Sequence, residues 1–273
     1  CWSLVGSEMC IRDRNNTMKT FFSEKHRLRD ANTELYGGEL VKPFERPQRL
    51  DFIVDEIKTR GFGEILNPNK VNLNIIGKVH DQDYIKFLDN AWNEWTKEGF
   101  KGEAIPSVWP SRSMNSEKIP TFIEGKLGYY SLAGETSISN GSIEAAYEAV
   151  RVAISAVDTL VKDKLSGIFA LCRPPGHHAS KNQYGGYCFF NNAAIAAERF
   201  KELGAKKIFI LDIDFHHGNG TQSIFYDKSD VFYASLHGDP MFAFPHFLGH
   251  SDEKGSGNGC LLYTSDAADD QLG

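Results

Sequence analysis

Two short stretches of this sequence crowd imidazoles and carboxylates together in an order that suits chemistry on a divalent ion. One is Arg173-Pro174-Pro175-Gly176-His177-His178-Ala179, the other Asp212-Ile213-Asp214-Phe215-His216-His217-Gly218. Residues two apart on an extended strand share a face, so Asp212, Asp214 and His216 point the same way. A carboxylate and an imidazole at that spacing can bind one divalent cation, and the remaining acid can hold a neighbouring group or a second cation. The adjacent imidazoles of His177 and His178 can supply a general base. Polar side chains on an otherwise apolar strand are costly unless paired or metal-bound, so the competing reading is a set of satisfied hydrogen-bonding groups at a strand end.

The flanking pattern shows what must carry these residues. Apolar runs at Gly167 to Cys172 (GIFALC), Lys207 to Asp214 (KIFILDID) and Val231 to Leu236 (VFYASL) read as strands. Between them come helical stretches. Ser142 is placed to cap one, whose residues Ala145, Ala146, Ala149, Val150, Ala153, Ala156, Val157 and Leu160 fall on one stripe. Asn192 to Leu203 is a second, with Gly204 as its left-handed stop, and Thr221 to Tyr226 a short third. Uninterrupted apolar strands alternating with helices predict an α/β fold, an open parallel sheet covered by helices on both faces. Both histidine clusters then sit at carboxyl ends of strands, where such sheets gather ligands. Earlier, Pro47 to Arg60 and Gln82 to Lys97 read as helices, the second capped by Asp81. Residues 99–128 are rich in Pro, Gly and Ser and lack periodicity, and a loop that long in a compact domain is usually functional or an interface.

Composition narrows the partners. With 36 acidic against 30 basic residues the formal charge is −6, which argues against a nucleic-acid grip. No apolar run approaches the ~18 residues of a membrane span. The cysteines Cys1, Cys10, Cys172, Cys188 and Cys260 form no CxxC pair, so neither a disulfide framework nor a zinc knuckle is indicated, and a cytoplasmic setting is expected. Cys188 has no base beside it in sequence and is expected to pack rather than react. Residues 1–17 have no signal-peptide layout and 260–273 continue no periodic pattern. Both are expected to be non-native, leaving one domain over 18–259 that is incomplete at its C-terminal end.

The runs RPPGHHA, GGYCFFNN, ILDIDFHHGNGTQ and SLHGDP, in this order, resemble the zinc-dependent deacetylases of the arginase/deacetylase superfamily. Within it, TELYGGEL, KGEAI, IPTFIEGKLGYY and FPHFLG look like the acetylpolyamine amidohydrolases, and the resemblance runs from Met18 to about Gly259. It implies an arginase/deacetylase-type fold and makes Asp214 and His216 two of three Zn2+ ligands. The third ligand, an aspartate, and the family's transition-state tyrosine are expected beyond Gly259, so the chain as given is expected to be inactive. His177 and His178 match the tandem histidines, of which the second takes a proton from zinc-bound water. Asp212 matches the acid that pairs with His177 and helps hold a structural K+ or Na+. That cation would also take the Ser235 hydroxyl and the carbonyls of Asp212, Asp214, His216 and Leu236. A second would sit among the carbonyls of Phe225, Lys228 and Val231. Histone deacetylases often carry an acid where this chain has Asn219, and a neutral amide there leaves the pKa of His178 unraised.

The same resemblance places Glu34, Glu124 and Glu135 at or near the mouth of a tunnel, where carboxylates concentrate a cationic amine. It makes Tyr187, Phe244 and, more weakly, Phe44 aromatic walls for a methylene chain. Taken alone, each acid reads as a solvated surface group and each aromatic as core. The 99–128 loop looks like the insertion through which the acetylpolyamine enzymes dimerise. The implied activity is hydrolysis of the acetamide of short acetylated amines. The alternatives are a broad acyl-lysine protein deacetylase and an inactive, metal-poor remnant.

Overall fold

The computed structural model describes residues 17–259 and the strand at 263–267. The leader expected over 1–17 and the tail over 260–273 otherwise lie outside the described residues. The elements in chain order are β1 (Thr20–Phe21), β2 (Glu34–Tyr36), β3 (Glu39–Val41), α1 (Gln48–Thr59), β4 (Ile65–Leu66), α2 (Gln82–Lys97), α3 (Ile123–Tyr130), α4 (Ser142–Lys162), β5 (Phe169–Ala170), α5 (Asn192–Glu202), β6 (Ile208–Asp212), α6 (Asn219–Phe225), β7 (Val231–His237) and β8 (Tyr263–Ala267).

The parallel strands form two ladders, β4-β1-β5 and β6-β7-β8, and β2 and β3 form a separate antiparallel hairpin. This refines the single sheet expected from the sequence. GIFALC contributes only Phe169 and Ala170 to its ladder, paired with Thr20 and Phe21. Its prolines turn the chain away before it can pair further. A cavity of about 620 Å³ separates the ladders, lined on one side by Ile168, Ala170 and Cys172 and on the other by Asp212 and Asp214. β8 lies outside the elements read from the sequence; its backbone pairs with β7 from Tyr233↔Tyr263 to His237↔Ala267.

α4 is the central helix. Its stripe is buried from Ala145 to Val157, with Ala145 and Val150 fully shielded, and it packs on α5. The core continues through Phe189, Phe190 and Ile195 to Tyr84, Leu88 and Leu127 on α2 and α3. Two caps differ from expectation. Ser142 opens α4 rather than preceding it: Gly141, at φ 81°, is the cap residue, and the Ser142 hydroxyl accepts from the Ser139 amide at 3.0 Å. Asp81 stands at the cap position of α2 without a side-chain cap bond. Gly204, by contrast, takes the left-handed conformation its place predicts, at φ 101°. α5 is capped by Asn191, whose side chain accepts from the Ala194 amide at 2.9 Å.

On β6 one row of apolar side chains points outward. Phe209 and Leu211 alternate outward and are 59% and 53% exposed, and Ile213 beyond them is 74% exposed. Among the described residues nothing covers that face.

Candidate active site

β5 and β6 end on the same edge of the molecule, and the loops that follow bring the two histidine clusters together. His177 Nδ1 lies 2.9 Å from Asp212 Oδ2, across the boundary between the two ladders. Asp212 also accepts from the Tyr233 hydroxyl at 3.1 Å and from the Asp214 amide at 3.1 Å. Burial works against its charge, but His177 and these donors outweigh it and hold the carboxyl below the usual range.

His178 is buried, with its ring 4.0 Å from that of His177. Its Nδ1–H donates to Asn219 Oδ1 at 2.7 Å, which leaves Nε2 as the lone-pair nitrogen. Burial, with the neighbouring His177, pushes its pKa down to about 3, so the imidazole is a neutral acceptor at any ordinary pH. Asn219 opens α6 and is itself buried. The backbone of Gly186 lies directly against the His178 ring: a Cβ at Gly186 would collide with its Cδ2.

Asp214 and His216 stand on the loop after β6, half-open to solvent. Asp214 Oδ1 accepts from the His216 amide at 2.8 Å and lies 3.3 Å from His216 Nδ1. Contact with His216 holds the Asp214 carboxyl well below its ordinary range. Two donors each ~2.0–2.2 Å from a tetrahedral zinc ion stand roughly 3.3–3.5 Å apart, so this pair presents the edge of such a polyhedron. Among the described residues no third histidine, cysteine or acid completes a metal-binding group.

The aromatic and acidic positions divide. Phe244, half-buried, sets its ring edge-on to His178 at 5.0 Å and 6.2 Å from His216. Tyr187, at φ 66°, donates its hydroxyl to Glu34 Oε1 at 2.7 Å. Glu34 is buried, only 3% exposed, against the surface position its residue type suggests. Glu135 accepts from the Gly186 amide and from the Thr136 hydroxyl, so it sits one peptide from the His178 contact. Phe44 is 58% exposed and packs edge-on against Tyr36, and only its amide reaches Glu34. Glu124 stands on α3, with no contact to this cluster among those seen. Cys188 is fully buried, donates to the Gly186 carbonyl at 3.2 Å and has its thiol pKa raised by burial, as expected of a packing residue.

Ser235 pairs with Asp212 in the ladder. Its hydroxyl lies 2.8 Å from His237 Nδ1, and His237 Nε2–H donates to the Gly249 carbonyl at 3.0 Å. Leu236 follows it on β7 and is half-exposed. Phe225 and Lys228 are joined by the Lys228 amide and Phe225 carbonyl at 3.0 Å, and both line a small cavity with Val231. His237 lies in SLHGDP and Gly249 ends FPHFLG, but sequence reasoning gave neither residue a role of its own, because their contribution is a hydrogen-bonded fold around the cluster rather than a side chain in it.

A family model described as the histone deacetylase domain matches residues 43–266. The chain belongs to the histone deacetylase domain family. Within it, the chain is 54% identical over 242 residues to an acetylpolyamine amidohydrolase of Mycoplana ramosa, a match spanning 89% of this chain and 70% of the relative. It is 46% identical over 242 residues to acetylpolyamine amidohydrolase 2 of Pseudomonas aeruginosa, with the same 89% and 70% coverage. The crystal structure of acetylpolyamine aminohydrolase from Burkholderia pseudomallei superimposes with a TM-score of 0.84 at 32% identity, covering 92% of this chain and 72% of that one. The α/β fold with parallel strands and flanking helices is therefore that of the family. Among the described residues no helix is long and apolar enough to cross a membrane.

Proposed function

We propose that this domain hydrolyses the acetamide of short acetylated amines, with His178 as the general base. The observation that carries the reading is His178 itself: buried, neutral, locked in one tautomer by Asn219, and walled by the Phe244 ring beside the Asp214–His216 pair. The names of the relatives point to acetylated polyamines as the substrate class.

Asp214 and His216 would hold a zinc ion, with at least one further ligand required for a stable site. A bound zinc ion supplies Lewis acidity, lowering the pKa of water and polarising an amide carbonyl. His178 Nε2 is the free acceptor that takes a proton during attack and returns it to the leaving amine. His177, bonded to Asp212, lies 4.0 Å from the His178 ring and supplies a polar, anion-backed neighbour to the charge that develops there. Phe244 and Tyr187 would flank the methylene chain, and Glu34 and Glu135 behind Tyr187 would favour its distant ammonium. Glu124 and Phe44 would join from the rim. Asp212, Ser235 and the carbonyls of Asp214, His216 and Leu236 would enclose a K+ or Na+, and those of Phe225, Lys228 and Val231 a second. The segment of the expected 99–128 insertion that stays a loop ends where α3 begins at Ile123, and it exposes Val108, Met114, Ile119 and Phe122, which suits a homodimer interface.

The test is turnover of a monoacetylated diamine against an acetyl-lysine peptide by the zinc-loaded enzyme that carries this domain together with its third metal ligand, and by its His178→Ala variant. Faster turnover of the diamine is expected, and the variant should lose about 10² to 10⁴ in kcat with zinc content unchanged. Preference for the peptide would move the assignment to a protein deacetylase, and full activity of the variant would remove His178 from its role.

A further inference from the structure

The loop of residues 241–250 carries Phe244 to within 5.0 Å of His178, yet Met241, Phe242 and Phe247 on it are 70%, 87% and 87% exposed. Such a loop has little apolar burial to hold it in place. Its polar anchoring is concentrated at its two ends. At the start, Asp239 accepts from the Met241 amide through its side chain, and from the Phe242 and Ala243 amides through its carbonyl. At the far end, Glu253 gathers the chain. Its Oε1 accepts from the Gly249 amide at 2.8 Å and from the His250 amide at 2.9 Å, and its Oε2 accepts from Gln222 Nε2. His237 adds a donor to the Gly249 carbonyl.

Gln222 gives the contact its meaning. It is buried on α6, one turn from Asn219, and residues three apart share a helix face. Asn219 fixes His178 and Gln222 fixes Glu253, so a single helical turn references both the base and the aromatic wall. Gly249 permits this closeness: at φ 96° its backbone comes so near the His217 ring that a Cβ would lie 2.6 Å from it.

We infer that Glu253 is a positioning residue for substrate, clamping the 241–250 loop to α6 so that Phe244 holds its distance from His178. The inference rests on the deacylation proposed above. It separates the chain's binding of the amine arm from the proton transfer at His178, which Glu253 does not touch. Loss of the clamp should therefore appear in KM and not in kcat.

Two substitutions give the test. Glu253→Gln keeps an oxygen that can accept from both loop amides and an amide that can pair with Gln222 once that side chain flips. Glu253→Ala removes the clamp entirely. For a monoacetylated diamine, Glu253→Ala should raise KM about tenfold with kcat within about twofold, since small displacements of a binding wall have effects of this order or larger. Glu253→Gln should stay within about twofold of wild type in both. In parallel, amide exchange at Gly249 and His250 should accelerate at least about tenfold in Glu253→Ala, as for amides released to local opening, and should be preserved in Glu253→Gln. Equal KM in the Ala variant and wild type, or a loss confined to kcat, would overturn the inference. If wild type turns over no acetylated amine, the deacylation reading fails separately. The exchange comparison then decides the clamp: protection lost only in the Ala variant sustains it, and protection retained there overturns it.

Discussion

At the scale of single residues, the side chain that most distinguishes this site is Asn219. Its Oδ1 receives the Nδ1–H of His178 at 2.7 Å without adding charge, and burial then leaves the imidazole with a pKa near 3. A base must be unprotonated to act, so a strongly depressed pKa keeps His178 competent far into the acid range. Placing a carboxylate beside it reverses the sign. Asn219→Asp should stabilise the imidazolium and raise that pKa, shifting the acid limb of kcat/KM towards neutrality by ~1 pH unit or more. A pH–rate profile of the variant against wild type checks this, and an unmoved acid limb would show that another group governs it.

At the scale of elements, the site depends on main chain packed directly against side chains. Gly186, at φ 53°, lies on the face of His178, and Gly218 lies where a Cβ would strike Asp212 Oδ2 and the Tyr233 hydroxyl. Gly186→Ala should push the His178 ring off Asn219 and cut kcat/KM by ~10²-fold, and a melting curve would show how much of the loss is local. The sequence makes much of this level legible. α2 spans the residues its periodicity marks, and the two histidine clusters do come together, although β6 ends at Asp212 and sets Asp214 and His216 on the following loop rather than on a shared strand face. What it hides has physical causes. Glu34 reads as a surface acid because its burial comes from Tyr187, whose sequence separation from it is 153. The break between the ladders is hidden because GIFALC has the apolar content of a full strand, and nothing in its composition reports that only Phe169 and Ala170 find partners. Ser142 has the residue type of a cap, but Gly141 reaches the required φ at lower cost.

At the scale of the whole molecule, the core is sensitive to acid. His80 is 1% exposed; its Nδ1–H donates to the Ser180 carbonyl at 2.8 Å, while its Nε2 accepts from the Asn191 amide at 3.0 Å. Only the neutral ring can make both bonds, and burial pushes its pKa down to about 4. The unfolded chain takes up a proton below pH ~6.5, so the stability His80 contributes is full above that pH and is lost as pH falls from ~6.5 towards ~4. Denaturant midpoints should fall accordingly between pH ~7 and ~5. His80→Leu should start about 2 kcal/mol lower, with the Asn191 amide and Ser180 carbonyl unpaired, yet show a shallower pH slope. The outward row Phe209, Leu211 and Ile213 leads to a second expectation. An apolar strip of this kind promotes association, so replacing Phe209 and Ile213 with threonine should reduce light scattering at equal concentration without lowering the melting temperature. The boundary between the two ladders also bears on how the chain reaches its native state. The pairs His177–Asp212 and His178–Asn219 span 35 and 41 residues and join parts of the molecule that share no strand pairing. The β4-β1-β5 ladder, by contrast, must join Thr20 to Phe169, a far longer reach, and long-range closures are the slowest to form. The two histidine clusters can thus meet before β1 closes its ladder, and a probe placed on His178 should acquire its native signal no later than one placed on Phe21.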